Sequence, residues 1–255
     1  MLRTTRIKCR CCMKKLFLFL FLVLGTGFVS SCGSDGDDEK TKEIGKEDSK
    51  KNLGGGIYII NEHKFVDLGL PSGLLWAETN IGAETAADHG NYYAWGETTT
   101  KSDYDWDTYK YGTSEFDITK YNKTDSMTVL ENADDAACVN WGSYCRMPTY
   151  TEFRELLNSD NCTWTWTSMK NSSSSSINGY KVTSKKNGNS IFLPASGYRR
   201  GDDLGYHGSC GYYWSSTLYA SDVYYAYGLC SFSSSRYTDL YDRYYGRAVR
   251  PVAAP

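Results

Sequence analysis

The chain has 255 residues, 28 bases against 30 acids and a formal net charge of −2. Its first 32 residues hold six bases and no acid, which leaves 22 bases against 30 acids in the remainder. So acidic a remainder argues against nucleic acid as a partner, because binding phosphates needs Lys and Arg in excess.

From Met13 the chain reads Lys14-Lys15, an apolar run from Leu16 to Leu24, and small residues up to Cys32. This is the pattern of an export signal, and it fits a start at Met13 better than at Met1. Cys9, Cys11 and Cys12 then precede the true start. The apolar run is too short to span a bilayer comfortably. Gly33 to Gly56 carries seven acids and five bases, with Ile44 and Leu53 almost its only apolar side chains. Such a stretch cannot bury a core and is expected to be a flexible tether, residues 33–56. Residues 57–255 show no composition break and suit one globular domain or two small ones.

In chain order, Ile57–Ile60 and Lys64–Leu68 flank Asn61-Glu62-His63 as an opening hairpin. Leu70-Pro71-Ser72-Gly73 is a turn before a strand at Leu74–Ala77. Tyr92 to Tyr121 shows no sustained period and is expected to be loop with short strands. Ala133 to Trp141 has a helical composition. Thr149-Tyr150-Thr151-Glu152 forms a capping box ahead of Phe153, Leu156 and Leu157, the apolar face of a second helix. Tyr180–Thr183 and Ser190–Leu193, joined across Asn187-Gly188, make the clearest hairpin. Ser172–Ser176 is a flexible loop. Further strands are expected at Gly211–Ser215, Tyr224–Leu229 and Ala248–Val252. The fold class is α+β, with two helices and many short, mostly antiparallel strands.

Of the 22 Tyr residues, 11 fall between Tyr206 and Tyr245, among Ser, Gly, Asp and Arg. No Lys, Glu, Gln or Met stands in that stretch. Tyr offers a large, stiff, amphipathic contact at low entropy cost, while Ser and Gly let a surface adapt, as in antibody paratopes. The same composition also suits a Tyr-rich sheet surface, since Tyr is a good strand former. On the binding reading the contact candidates are Tyr219, Asp222, Tyr224, Tyr225, Tyr227, Arg236, Tyr237, Asp239, Tyr241, Asp242, Tyr244 and Tyr245. They are expected to be largely exposed and to converge on one patch, with Trp214, Val249 and Val252 buried beneath.

Val29-Ser30-Ser31-Cys32 resembles a bacterial lipobox, which implies lipidation at Cys32 and a signal peptide over residues 1–32. The acidic cluster Ser34 to Glu39 resembles the surface-export signal of Bacteroidota lipoproteins and implies the outer face of the outer membrane. Six ordered blocks then resemble the Fibrobacter succinogenes major paralogous domain family. They are Phe65–Ala77, Tyr93–Glu97, Trp141 with Arg146–Thr149, Phe192–Tyr198, Tyr213–Ser216 and Val249–Val252. The resemblance covers residues 57–252 and implies a C-type-lectin-like fold with adjacent termini, so that Ile57–Ile60 and Ala248–Val252 share a sheet. Leu218 to Tyr245 also resembles the variable segment of lipoproteins targeted by diversity-generating retroelements, which rewrite residues such as Tyr, Ser, Asp and Arg. That implies a variable binding segment at about residues 211–247 and an extracellular protein or glycan as ligand. The alternative is a structural or carbohydrate-utilisation accessory component with no ligand of its own.

No enzyme chemistry is expected. His63, His89 and His207 stand far apart in sequence, clear of the spacing that zinc ligands need. No Glu-Pro-Asn or Gln-Pro-Asp loop marks a sugar-bound calcium, although Asp202-Asp203 could help to ligate one; otherwise no cofactor is expected. Beyond Cys32 the cysteines are Cys138, Cys145, Cys162, Cys210 and Cys230. An oxidising envelope permits disulfides, an odd count leaves a thiol over, and Cys138–Cys145 and Cys210–Cys230 are the first pairings to test.

Overall fold

A computed structural model describes residues 49–255. The signal segment, Cys32 and most of the tether lie outside the described residues. Strands β1 (Lys50–Gly54), β2 (Ile57–Ile60), β3 (His63–Asp67) and β4 (Leu75–Ala77) open the domain. Helix α1 (Ala136–Trp141), β5 (Cys145–Arg146) and α2 (Tyr150–Leu157) follow a long irregular stretch. Then come β6 (Cys162–Lys170), β7 (Ser176–Ser184), β8 (Ser190–Pro194), β9 (Tyr198–Arg200) and β10 (Asp203–Gly205). The chain ends with β11 (Cys210–Leu218), β12 (Tyr225–Phe232), β13 (Ser235–Asp242) and β14 (Val252–Ala253). The fold class is α+β: two α-helices and antiparallel strand pairs in four sheets among the described residues.

The largest of these sheets has the order β1-β2-β3-β4-β14-β5, so Val252 shares a sheet with Ile57–Ile60. The tether ends earlier than expected. Lys50–Gly54 pairs with β2 through Gly54-Gly55-Gly56, all three with positive φ, a conformation open to glycine without steric cost. β1 buries none of its residues, which is why composition alone reads it as tether.

The capping box at α2 is formed: Glu152 N donates to Thr149 Oγ1 at 3.3 Å and Thr149 N to Glu152 Oε2 at 2.7 Å. Glu152 also takes both terminal nitrogens of Arg146, at 2.8 and 2.6 Å. Phe153 and Leu156 then bury against β4, β6 and β7 in a core shared with Trp76, Trp164 and Val182. β7 and β8 make the expected hairpin, and β7 reaches back to Ser176, so the Ser-rich loop is shorter than its composition implies.

A second core is aromatic, and much of it comes from the stretch without regular structure. Tyr92, Tyr93, Trp95, Tyr104, Tyr109, Tyr111 and Tyr121 are all buried there. Their polar ends are satisfied one by one. Trp95 Nε1 donates to Ser215 O at 2.8 Å, Tyr104 OH to Tyr92 O at 2.6 Å, and Tyr109 OH to Trp95 O at 2.7 Å. Side chains thus reinforce a backbone that is otherwise tied down by isolated bridges such as Tyr93–Arg247 and Tyr104–Gly201.

Candidate functional site

β11, β12 and β13 form a three-stranded antiparallel sheet from the Tyr-rich segment. β12 and β13 meet across Ser233-Ser234. Alternation along strands divides its side chains between two faces. The register pairs Tyr212 with Cys230 and Cys230 with Tyr237, and Ala226 with Tyr241. Tyr212, Trp214, Cys230, Tyr237, Asp239 and Tyr241 therefore share one face. Tyr225, Tyr227, Arg236 and Asp242 lie on the other.

The contact candidates accordingly do not converge on one patch. Tyr244 is 5% exposed and belongs to the aromatic core, with Trp106 at 4.9 Å and Tyr245 at 4.6 Å. Tyr224 sits 5.0 Å from Trp106, and Asp222 and Asp239 accept from nearby backbone at Tyr224 and Leu240. Tyr227 lies between Tyr150 at 4.2 Å and Tyr219 at 5.7 Å. Tyr225 meets Tyr224 at 4.6 Å. Asp242 is half-buried; burial pushes its carboxyl up, against hydrogen bonds from Tyr245 and Tyr224. Tyr237 is the one large aromatic of the set that is plainly exposed, at 40%. Trp214, Val249 and Val252 are buried as expected.

What the fold does assemble is an aromatic platform on the first face. Tyr198 of β9 stacks on Tyr245 (5.4 Å, 12°) and on Tyr206 (5.9 Å, 24°), and meets Tyr212 edge-on at 5.1 Å. Tyr206 is 60% exposed. Tyr212 in turn meets Tyr241 edge-on at 6.0 Å. Arg247 lies beneath, 1% exposed, with its guanidinium carbon 3.4 Å from the Tyr241 ring centre and 4.8 Å from those of Tyr212 and Trp214. Its Nε and Nη1 meet no acceptor at hydrogen-bond geometry, so ring faces supply the electron density instead. Burial pushes the guanidinium below its ordinary value. By contrast Arg243 and Arg250, also buried, each make four hydrogen bonds to oxygens. Arg250 donates to Asn80 Oδ1, Ala77 O, Glu78 O and Phe192 O at 2.6–3.0 Å. Arg243 donates to Tyr109 OH and to three backbone carbonyls at 2.9–3.1 Å. A segment variable throughout residues 211–247 would therefore break the core; variation is compatible only with its outward positions.

Tyr198, Tyr206, Tyr212, Arg247 and Arg200, whose guanidinium carbon lies 5.7 Å from the Tyr245 ring centre, were not among the candidates. Tyr206 and Tyr212 lie in the Tyr-rich stretch and carried that signal, whereas Tyr198 and Arg200 arrive from a separate hairpin.

Two further expectations change. Cys138, Cys210 and Cys230 keep free thiols, so neither expected disulfide is made. Cys210 lies opposite Phe232 and Cys230 opposite Tyr212, a diagonal rather than a facing pair. Cys145 Sγ instead donates toward Ala137 O and Gly142 O. His89 and His207, distant in sequence, touch: Nδ1 and Nε2 are 2.9 Å apart, and burial pushes the His89 imidazole down to about 4. Asp202 and Asp203 are exposed at the β9–β10 turn. Among the described residues no three His, Cys, Asp or Glu side chains come together to hold a metal ion. Nor is any helix there long and apolar enough to cross a membrane.

A family model described as a domain of unknown function (DUF8237) matches residues 170–252, from the end of β6 to the start of β14 and through the whole C-terminal sheet. No curated protein and no solved structure matches the chain.

Proposed function

We propose that the chain is a lipid-anchored surface protein of C-type-lectin-like fold, related to the Fibrobacter succinogenes major paralogous domain family. It binds an extracellular protein or glycan through the platform of the C-terminal sheet, without catalysis. The observation that carries this reading is the platform itself. Tyr206 and Tyr237 are exposed, while the rings behind them are locked by stacking, so a ligand meets aromatic surface whose ordering entropy is already spent. Support for the fold comes from the shared sheet of β2 and β14. Support for the anchor is the signal pattern ending at Cys32.

The test is a paired measurement on the full chain. Wild type and a Tyr206→Ser/Asp239→Ala double variant are compared on arrays of glycans and extracellular proteins. Both altered side chains are exposed, so the Tm is expected to stay within about 2 °C while array binding is lost. Equal binding by the two forms would sink the platform reading. In parallel, Cys32→Ala is expected to move the protein out of the membrane fraction, and unchanged retention would refute the anchor.

A further inference from the structure

On the opposite side of β13 from the platform, a cleft of about 700 Å³ separates the outer edge of that strand from α2. Arg154 and Arg236 face into it from its two walls, with Thr151 and Asn158 on the α2 side and Tyr237 at the strand edge. A second hollow of about 380 Å³ shares Pro71 and Asn161 with the first and adds Lys185 and Lys186. The two hollows adjoin at Pro71 and Asn161, a trough with four bases along its linings against Glu155 and Asp160.

Those bases are uncompensated. Among the described residues, none of the four lies within ion-pair distance of a carboxylate. Glu155 turns its carboxylate to the backbone N–H of Ser72 at 3.1 Å. In a chain with more acids than bases, four unpaired cations in one groove are a local reversal of charge. The two guanidiniums are also held ready. Arg236 lies over the rings of Trp164 at 5.6 Å and Tyr180 at 5.9 Å, and Arg154 Nη1 donates to Tyr150 OH at 3.0 Å. Little side-chain freedom is left for a ligand to remove.

We infer that this trough binds an acidic oligosaccharide, one carrying sugar carboxylates or sulfates at successive residues. Arg154 and Arg236 take one anionic group in the fork geometry that guanidinium offers, and Lys185 and Lys186 take the next as point charges. Between them Thr151 and Asn158 supply neutral donors and acceptors suited to sugar hydroxyls. An acidic peptide would share the charge but has no use for that hydroxyl-matching lining. The inference does not rest on the platform, which lies across the sheet.

The experiment is calorimetric titration of the full chain with tetragalacturonate, its fully methyl-esterified form and tetra-aspartate. Expected is binding of the first alone, weakened at least about tenfold by Arg154→Gln and by Arg236→Gln, and falling with added salt. Arg154 is exposed, so its variant stays informative even if Arg236→Gln disturbs packing. Tyr206→Ser is expected to leave this binding unchanged, which separates the trough from the platform. Absence of tetragalacturonate binding at about 1 mM, a weak limit on the affinity scale, would overturn the inference. So would equal binding of the ester, preference for tetra-aspartate, or wild-type affinity in Arg154→Gln.

Discussion

At the scale of single residues, tyrosine serves two opposite purposes in this chain, and burial separates them. Tyr244 is wedged against Trp106 and Tyr245, whereas Tyr237, seven positions earlier, stands at the rim. Removing a buried ring leaves a cavity that its neighbours only partly fill. Tyr244→Ser is therefore expected to cost about 3 kcal/mol, a Tm loss of about 6–12 °C for a domain this size. Tyr237→Ser should change Tm by no more than about 2 °C. Thermal melts of the two variants decide the matter; a stable Tyr244→Ser protein would return that ring to the contact surface. Arginine divides in the same way. Arg243, Arg247 and Arg250 are structural, while Arg154 and Arg236 are left to face outward.

At the scale of elements, α2 holds the C-terminal sheet from behind, and its N-terminus is where the two meet. Tyr150 N donates to Thr217 Oγ1 of β11 at 3.0 Å, beside the Thr149 cap. Thr149→Ala removes the acceptor of the Glu152 N–H, and is expected to destabilise by about 1 kcal/mol, read as a lower denaturation midpoint with unchanged slope. A loss within error would mean that Glu152 and its Arg146 partner fix the helix start alone. β13 is the outer strand of its sheet and was not expected from sequence. Ser, Arg, Tyr, Thr, Asp, Leu alternate between two partly covered faces there, so no apolar period shows.

At the scale of the whole molecule, stability depends on a buried carboxylate. Asp134 is 4% exposed and accepts from Lys120 Nζ (2.5 Å), Tyr121 OH (2.8 Å), Lys110 Nζ (3.0 Å) and Tyr111 OH. Burial alone would raise its pKa, but those four donors outweigh it and hold the group well below the ordinary 3.8. A depressed carboxylate contributes stability that is full above its unfolded value and is lost as pH falls below it. Asp134→Asn is thus expected to cost about 3 kcal/mol at pH 7, and the gap to wild type to shrink below about pH 4. A Tm–pH series from pH 2 to 7 tests this; a gap that stays constant would show that Asp134 is not the titrating group.

The sequence by itself determined what local chemistry can dictate. The α2 capping box, the Asn187-Gly188 hairpin and the burial of Trp214, Val249 and Val252 were legible, because caps, turns and apolar strand ends act over a few residues. It also marked the Tyr-rich segment as unusual, and four of the platform rings, Tyr206, Tyr212, Tyr241 and Tyr245, lie within it. Only the tertiary structure decided which tyrosines face outward, since strand register sends neighbours to opposite faces and the core of residues 92–121 claims some of them. It alone brought Tyr198 beside Tyr245, His89 beside His207, and Arg154 across from Arg236. Those pairs are separated by 47, 118 and 82 positions in sequence. No local propensity encodes such meetings; they follow from how two cores close around one sheet.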